Sequence, residues 1–86
     1  MKFKIEYDKQ PIRFLKQQDK HISKRIIDRT EKTLSENSVP QDAVRVKGTK
    51  DLVFRIRIGD YRTLYRINYQ TKKIVVIKIE KRPKAY

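Results

Sequence analysis

Arginines stand at positions 55, 57, 62 and 66 in the stretch VFRIRIGDYRTLYRINY, residues 53–69, and the cations Lys78, Lys81, Arg82 and Lys84 follow in IVVIKIEKRPKAY, residues 74–86. A guanidinium is a planar fork that donates two parallel hydrogen bonds to a phosphate, and it keeps its charge because its pKa lies above about 12. Such groups suit the binding of a polyanion and the stabilisation of charge that grows on a reacting phosphate. They are poor bases. RNA removes part of that difficulty, because its own 2′-hydroxyl can attack the neighbouring phosphorus once the backbone is held in line. A proton acceptor or donor for that step would have to be Lys78, Lys84, Tyr86 or Glu80.

Other chemistries are poorly served. The chain has no cysteine and a single histidine, His21, so it carries neither a Cys- or His-based metal site nor a recognisable nucleophilic triad. We read His21 as a surface residue. Gly48 and Gly59 are the only glycines, too few for a phosphate-cradling loop, and no carboxylate pair accompanies Glu80. No cofactor is implied.

Charge narrows the partners. With 23 Lys/Arg against 10 Asp/Glu, the net charge is +13. The last 34 residues hold ten cations against Asp60 and Glu80 alone. Such an imbalance points to nucleic acid, and less strongly to an acidic protein or an anionic membrane surface. No apolar run reaches the roughly 20 residues of a membrane span, neither helical segment pairs a wide apolar face with a wholly basic one, and the N-terminus has no apolar leader. A cytoplasmic protein is expected, with no membrane partner.

The elements that must carry these cations can be read from the spacing. Phe3, Ile5 and Tyr7 alternate with polar residues as in a strand, and Asp8 is placed to cap a short helix with Pro11 in its first turn. Asp19 begins a longer helix to about Ser35, with Ile22, Ile26, Ile27, Thr30 and Leu34 on one side. Residues 36–43, ENSVPQDA, read as a loop. Three strands follow, at about 52–58, 61–69 and 73–81, joined by a Gly59-Asp60 turn of type II′ and by Gln70-Thr71-Lys72. The order β-α-α-β-β-β makes one domain, residues 1–86, of the α+β class: two N-terminal helices packed on one face of a mostly antiparallel four-stranded sheet.

Strand parity then sorts the faces. Phe54, Ile56 and Ile58, then Tyr61, Thr63, Tyr65, Ile67 and Tyr69, then Val75, Ile77 and Ile79 should face the helices. Arg55, Arg57, Arg62, Leu64, Arg66, Val76, Lys78, Glu80 and Arg82 should share the uncovered face. Like charges across neighbouring strands repel, so this face weakens its own scaffold, as binding sites do.

VKGTKDLVFRIRIGDYRTLYRINY and IVVIKIEKRPKAY together resemble the RelE family of toxins from toxin–antitoxin pairs, chiefly its archaeal members. The likeness runs the length of the chain and is strongest over residues 46–86. It implies a RelE-like fold and a metal-independent endoribonuclease that enters the ribosomal A site and cuts messenger RNA, leaving a 2′,3′-cyclic phosphate and halting translation. It also implies an acidic, helical, RelB-like antitoxin as partner. The resemblance assigns Arg55 and Arg57 to the first basic strand, where bacterial members often carry lysines, Arg62 to the scissile phosphate and Arg82 to the transition state. Tyr86 would stack on a base and assist proton transfer; the sequence stops there, where some relatives continue into a further helix. Arg66, Lys78, Lys81 and Lys84 would hold RNA. Two other functions share these features. ParE-type toxins have the same fold but act on DNA gyrase, and a non-catalytic RNA- or ribosome-binding protein would need the charge alone.

Overall fold

The computed structural model describes residues 3–48 and 50–83. Its elements are β1 (Lys4–Tyr7), α1 (Lys9–Lys16), α2 (Lys20–Glu36), β2 (Val44–Arg45), β3 (Leu52–Ile58), β4 (Tyr61–Asn68) and β5 (Lys73–Lys81). They form a five-stranded sheet in the order β1-β5-β4-β3-β2, with β1 parallel to β5 and every other pair antiparallel. The expected sheet had four strands. The fifth, β2, is a two-residue edge strand pairing Val44 with Arg55 and Arg45 with Phe54, too short to show a period of two in sequence.

Local signals account for most boundaries. The Asp8 carboxylate accepts the backbone N–H of Lys9 at 2.8 Å and caps α1, with Pro11 buried in the first turn. Asp19 precedes α2 as expected but caps it differently. Its carbonyl accepts the N–H groups of Ile22 and Ser23, and its side chain makes no capping bond. At the β3–β4 hairpin Gly59 has φ +59°, and Asp60 is not in the left-handed region, the pattern of a type II′ turn. The β4–β5 connection is longer than expected. Asn68 Oδ1 accepts from the N–H groups of Gln70 and Thr71, and Lys72 takes φ +57°. Tyr69 therefore lies in this loop, 46% exposed, edge-on to Phe3 rather than in the core.

The helices cover one face of the sheet. Ile26 and Leu34 of α2 pack with Ile56, Ile58, Tyr65, Ile67, Ile74, Val76 and Ile79 of the central strands. Tyr65 is wholly buried and its hydroxyl donates to the Ser38 carbonyl at 2.8 Å, tying the loop after α2 to the core. That burial raises its pKa, and Tyr69 and Asp42 add smaller pushes in the same direction.

Strand β5 departs from strict alternation. Leu64 pairs with Lys78 but Tyr65 pairs with Val76, so Ile77 is the extra residue of a β-bulge. Before the bulge Ile74 and Val76 face the core, both 0% exposed; after it Ile79 does. The expected inward Val75 and Ile77 are half-buried instead, and Val75, opposite Arg66, takes the place on the open face expected of Val76. An unbroken strand with Val76 inward would have turned Lys78 and Glu80 into the core. The bulge prevents this. Just beyond it the Gln10 side chain occupies the edge of β5 that β1 leaves free, donating to the Ile79 carbonyl (3.0 Å) and accepting its N–H (2.9 Å).

The register makes a direct comparison possible. Val76→Ala is expected to lower stability by roughly 2 kcal/mol in urea denaturation, and Val75→Ala by less than about 1 kcal/mol. The opposite ranking would rule out the bulged register.

Candidate functional site

On the face away from the helices, β3 presents Arg55 and Arg57 and β4 presents Arg62, with Arg57 and Arg62 directly opposite each other. Arg82 follows β5. Its backbone N–H donates to the Asp60 carbonyl at 2.7 Å, and its Nη1 reaches the Gly59 carbonyl at 3.5 Å. The tail is thereby held against the hairpin tip, on the same side as the strand arginines. The four guanidinium-bearing residues line one open concavity of about 400 Å³, together with Asp42 and Val44 at the sheet edge.

Repulsion within this group is relieved by Glu80, in addition to Asp42 at the rim. Glu80 lies opposite Arg62 across β4–β5, and its Oε2 accepts a charged hydrogen bond from Arg62 Nη2. Its Oε1 is 3.3 Å from Lys78 Nζ. Burial pushes the Glu80 pKa up, but the hydrogen bonds and charges of Arg62 and Lys78 outweigh burial and hold it below the ordinary carboxylate range. Both Glu80 oxygens are thus engaged by cations, and the lowered pKa makes it a weaker base. Arg62 Nε is buried with no hydrogen-bond partner among the described residues.

The structure brings together Arg55, Arg57, Arg62 and Arg82. Arg66 is farther along the sheet face, between Val53 and Val75, and Lys78 is joined to the concavity only through Glu80. Lys81 pairs with Tyr61, which packs against the core, so strand parity puts Lys81 on the helix-bearing side, away from the arginines. Lys84 and Tyr86 lie outside the described residues. His21 is exposed on α2. Among the described residues no three His, Cys, Asp or Glu side chains cluster as metal ligands, and no helix is long and apolar enough to cross a membrane.

Two lining residues, Asp42 and Val44, were not foreseen, and neither was the pairing of Glu80 with Arg62. Asp42 and Val44 reach the concavity only because the short β2 folds onto β3, and nothing in their local sequence marks them. Glu80 had a readable signal, since pairing β4 with β5 by their hairpin puts the one acid of the open face beside Arg62. Chemically, the arrangement offers a phosphate several charged donors in a recess, with a half-buried apolar strip of Leu64 and Val75 alongside.

Comparison with known proteins finds relatives along the length of the chain. Residues 5–86 match the family described as ParE toxin of type II toxin–antitoxin system, parDE. The chain is 35% identical to a candidate RelE1 toxin of Methanocaldococcus jannaschii, over all of this chain and 97% of that one. The RelE–RelB complex of Pyrococcus horikoshii contains a chain 29% identical, with a TM-score of 0.80 over 99% of this chain and 100% of that one. A chain of the RelBE2 toxin–antitoxin complex of Mycobacterium tuberculosis shares the fold at 20% identity, with a TM-score of 0.82 over 95% of this chain and 100% of that one.

The Glu80 grip has a pH signature. A carboxylate whose folded pKa is depressed stabilises the fold above its unfolded pKa, and loses that contribution as pH falls through the folded value. Glu80→Gln is expected to be less stable than the parent near pH 7, by ~1 kcal/mol or less for a pair that still reaches solvent. The difference should close as pH drops below about 4. Thermal melts across pH 3–7 measure it, and a gap independent of pH would refute the charged pairing.

Proposed function

The chain belongs to the family of type II toxin–antitoxin toxins that holds the RelE and ParE proteins, and on that premise we propose that it is a ribosome-dependent endoribonuclease of the RelE kind. Its substrate is messenger RNA in the ribosomal A site, and its effect is to stop translation in the cytoplasm. The observation that carries this reading is the convergence of Arg55, Arg57, Arg62 and Arg82 on one concavity of the uncovered sheet face.

In the proposed reaction the 2′-hydroxyl attacks the adjacent phosphorus and the bond to the 5′-oxygen breaks, leaving a 2′,3′-cyclic phosphate and a 5′-hydroxyl. The 2′-hydroxyl gives up its proton and the leaving oxygen gains one. Arg55 and Arg57 hold the backbone beside the cut, Arg62 contacts the scissile phosphate, and Arg82 offsets the charge that develops on it. The nucleophile belongs to the RNA and the added charge falls to the guanidinium groups, so the step calls for no metal. Arg66 and Lys78 extend the basic face along the message. Lys84 and Tyr86 lie two and four residues after Arg82 in sequence, and we assign them RNA contact, with Tyr86 stacking on a base and assisting proton transfer. Lys81, on the other side of the strand, has a lesser claim to RNA.

An acidic helical antitoxin of the RelB kind is the expected protein partner. The net charge of +13 and the similarity to chains solved as RelE–RelB complexes support it.

A second reading has its own support. The matching family is described by its ParE members, so inhibition of DNA gyrase is the alternative for the same fold. The arginine concavity favours RNA cleavage.

Primer extension on a defined message in a translation reaction distinguishes the two. Cuts confined to the occupied A-site codon are expected, absent without ribosomes and reduced about a hundred-fold or more by Arg82→Ala. Intact message beside a block of gyrase supercoiling would replace the nuclease reading with the ParE one. Binding to ribosomes that weakens steeply with salt, without cleavage, would leave a non-catalytic RNA-binding protein.

A further inference from the structure

The ion pair behind Arg62 carries an inference about Glu80 that rests on the nuclease reading. We propose that Glu80 is a positioning residue for the RNA-cutting site, fixing the Arg62 guanidinium from the side away from the concavity before substrate arrives.

Register supplies the first argument. Arg57, Arg62 and Glu80 form one row across β3, β4 and β5, with Arg62 in the middle. Directly opposed like charges on neighbouring strands repel, so Arg57 drives the Arg62 side chain away from β3. Glu80 draws it toward β5. The two effects act in the same direction and leave Arg62 one favoured seat.

Burial supplies the second. The side chains of Arg62 and Glu80 are 28% and 27% exposed, well below the exposure of an ordinary surface pair. Nη2 binds Glu80 and Nε is buried without a hydrogen-bond partner among the described residues, so the guanidinium is held through Nη2. The donors that remain belong to a side chain lining the concavity, whereas Glu80 and Lys78 do not line it. Glu80 therefore grips from behind and does not occupy the place of the anion. Lys78 completes the grip by holding the second carboxylate oxygen.

The backbone supplies the third. With Val76 in the core, Glu80 shares the arginine face because Ile77 bulges out of β5, and Gln10 hydrogen-bonds both backbone groups of Ile79, its immediate neighbour. The strand is thus held on either side of the point where its parity changes. A free arginine on an open face samples many rotamers, and each must be given up when phosphate binds. A held arginine has already lost them, and small misplacement at a reacting centre is costly.

The grip has an opposite effect on binding, since a carboxylate near the phosphate repels it. Cleavage and affinity should therefore separate when Glu80 is changed. In single-turnover assays on ribosomes carrying a defined A-site codon, Glu80→Gln and Glu80→Ala are expected to slow cutting roughly ten- to a hundred-fold. Their affinity for the programmed ribosome should stay the same or tighten, and Glu80→Asp should recover part of the rate. NMR of the free, 15N-labelled protein gives a readout apart from activity. The Arg62 Nε–H signal should be resolved and slow to exchange in the parent and averaged with the exposed arginines in Glu80→Gln.

Faster cutting together with tighter binding would make Glu80 a competitor for the phosphate and overturn the proposal. Parallel loss of cutting, binding and thermal stability would reduce it to a structural ion pair. An Arg62 signal unchanged by Glu80→Gln would overturn it whatever the cutting assay gives. If the parent cuts no message, the nuclease reading falls and this one falls with it; if the parent cuts and Glu80→Gln cuts equally well, this one falls alone.

Discussion

The sheet is covered on one side only among the described residues. Helices α1 and α2 lie on one face, where Ile26 and Leu34 join the core, and none of the described elements covers the other. The uncovered face is where a small α+β domain can display long polar side chains without burying them. Everything of functional interest follows from that asymmetry. Isoleucine and arginine alternate along β3 because each successive residue serves a different side of a one-sided core.

Crowding cations on that face has a cost, and the structure meets it by arrangement. Arg57 and Arg62 are directly opposed, and Glu80 stands in the same row beside Arg62. One negative charge placed there offsets part of the repulsion while leaving the recess strongly positive. Its placement depends on a bulge in β5, which lets Ile74 and Val76 keep their core positions while Glu80 faces outward. The tail is located by a different means. The backbone bond from Arg82 to Asp60 turns a residue distant in sequence from the β3 arginines into their neighbour.

The legible part of the fold was the part governed by neighbours in sequence. The Asp8 cap, the Gly59-Asp60 hairpin and the alternation of β3 and β4 are each decided by a few adjacent residues, and each stands as read. Errors arose where distant contacts decide. Val75 and Val76 are both strand-forming aliphatics, so the sequence is silent about which one is inward; pairing with β4 chooses Val76. Tyr69 looked like a continuation of β4, but the bonds made by Asn68 end the strand first. Asp19 capped with its carbonyl, a geometry that residue type does not reveal. At the site, four arginines could be gathered by parity, whereas Lys81, read as an RNA contact within a run of cations, lies on the other side of its strand from them.

What the amino-acid sequence determined by itself was the chemistry on offer: a strongly cationic chain without cysteine, with one histidine, and with arginines at strand spacing. Charge and side-chain type are local properties, and strand parity is nearly so, because the pleat repeats every two residues. Only the tertiary structure decided which charges act together. The convergence of Arg55, Arg57, Arg62 and Arg82, the grip of Glu80 on Arg62, and the presence of Asp42 at the rim all depend on register between strands and on a single bulge. Register is set by packing the whole core at once, so a shift of one residue would have dispersed the same side chains over both faces.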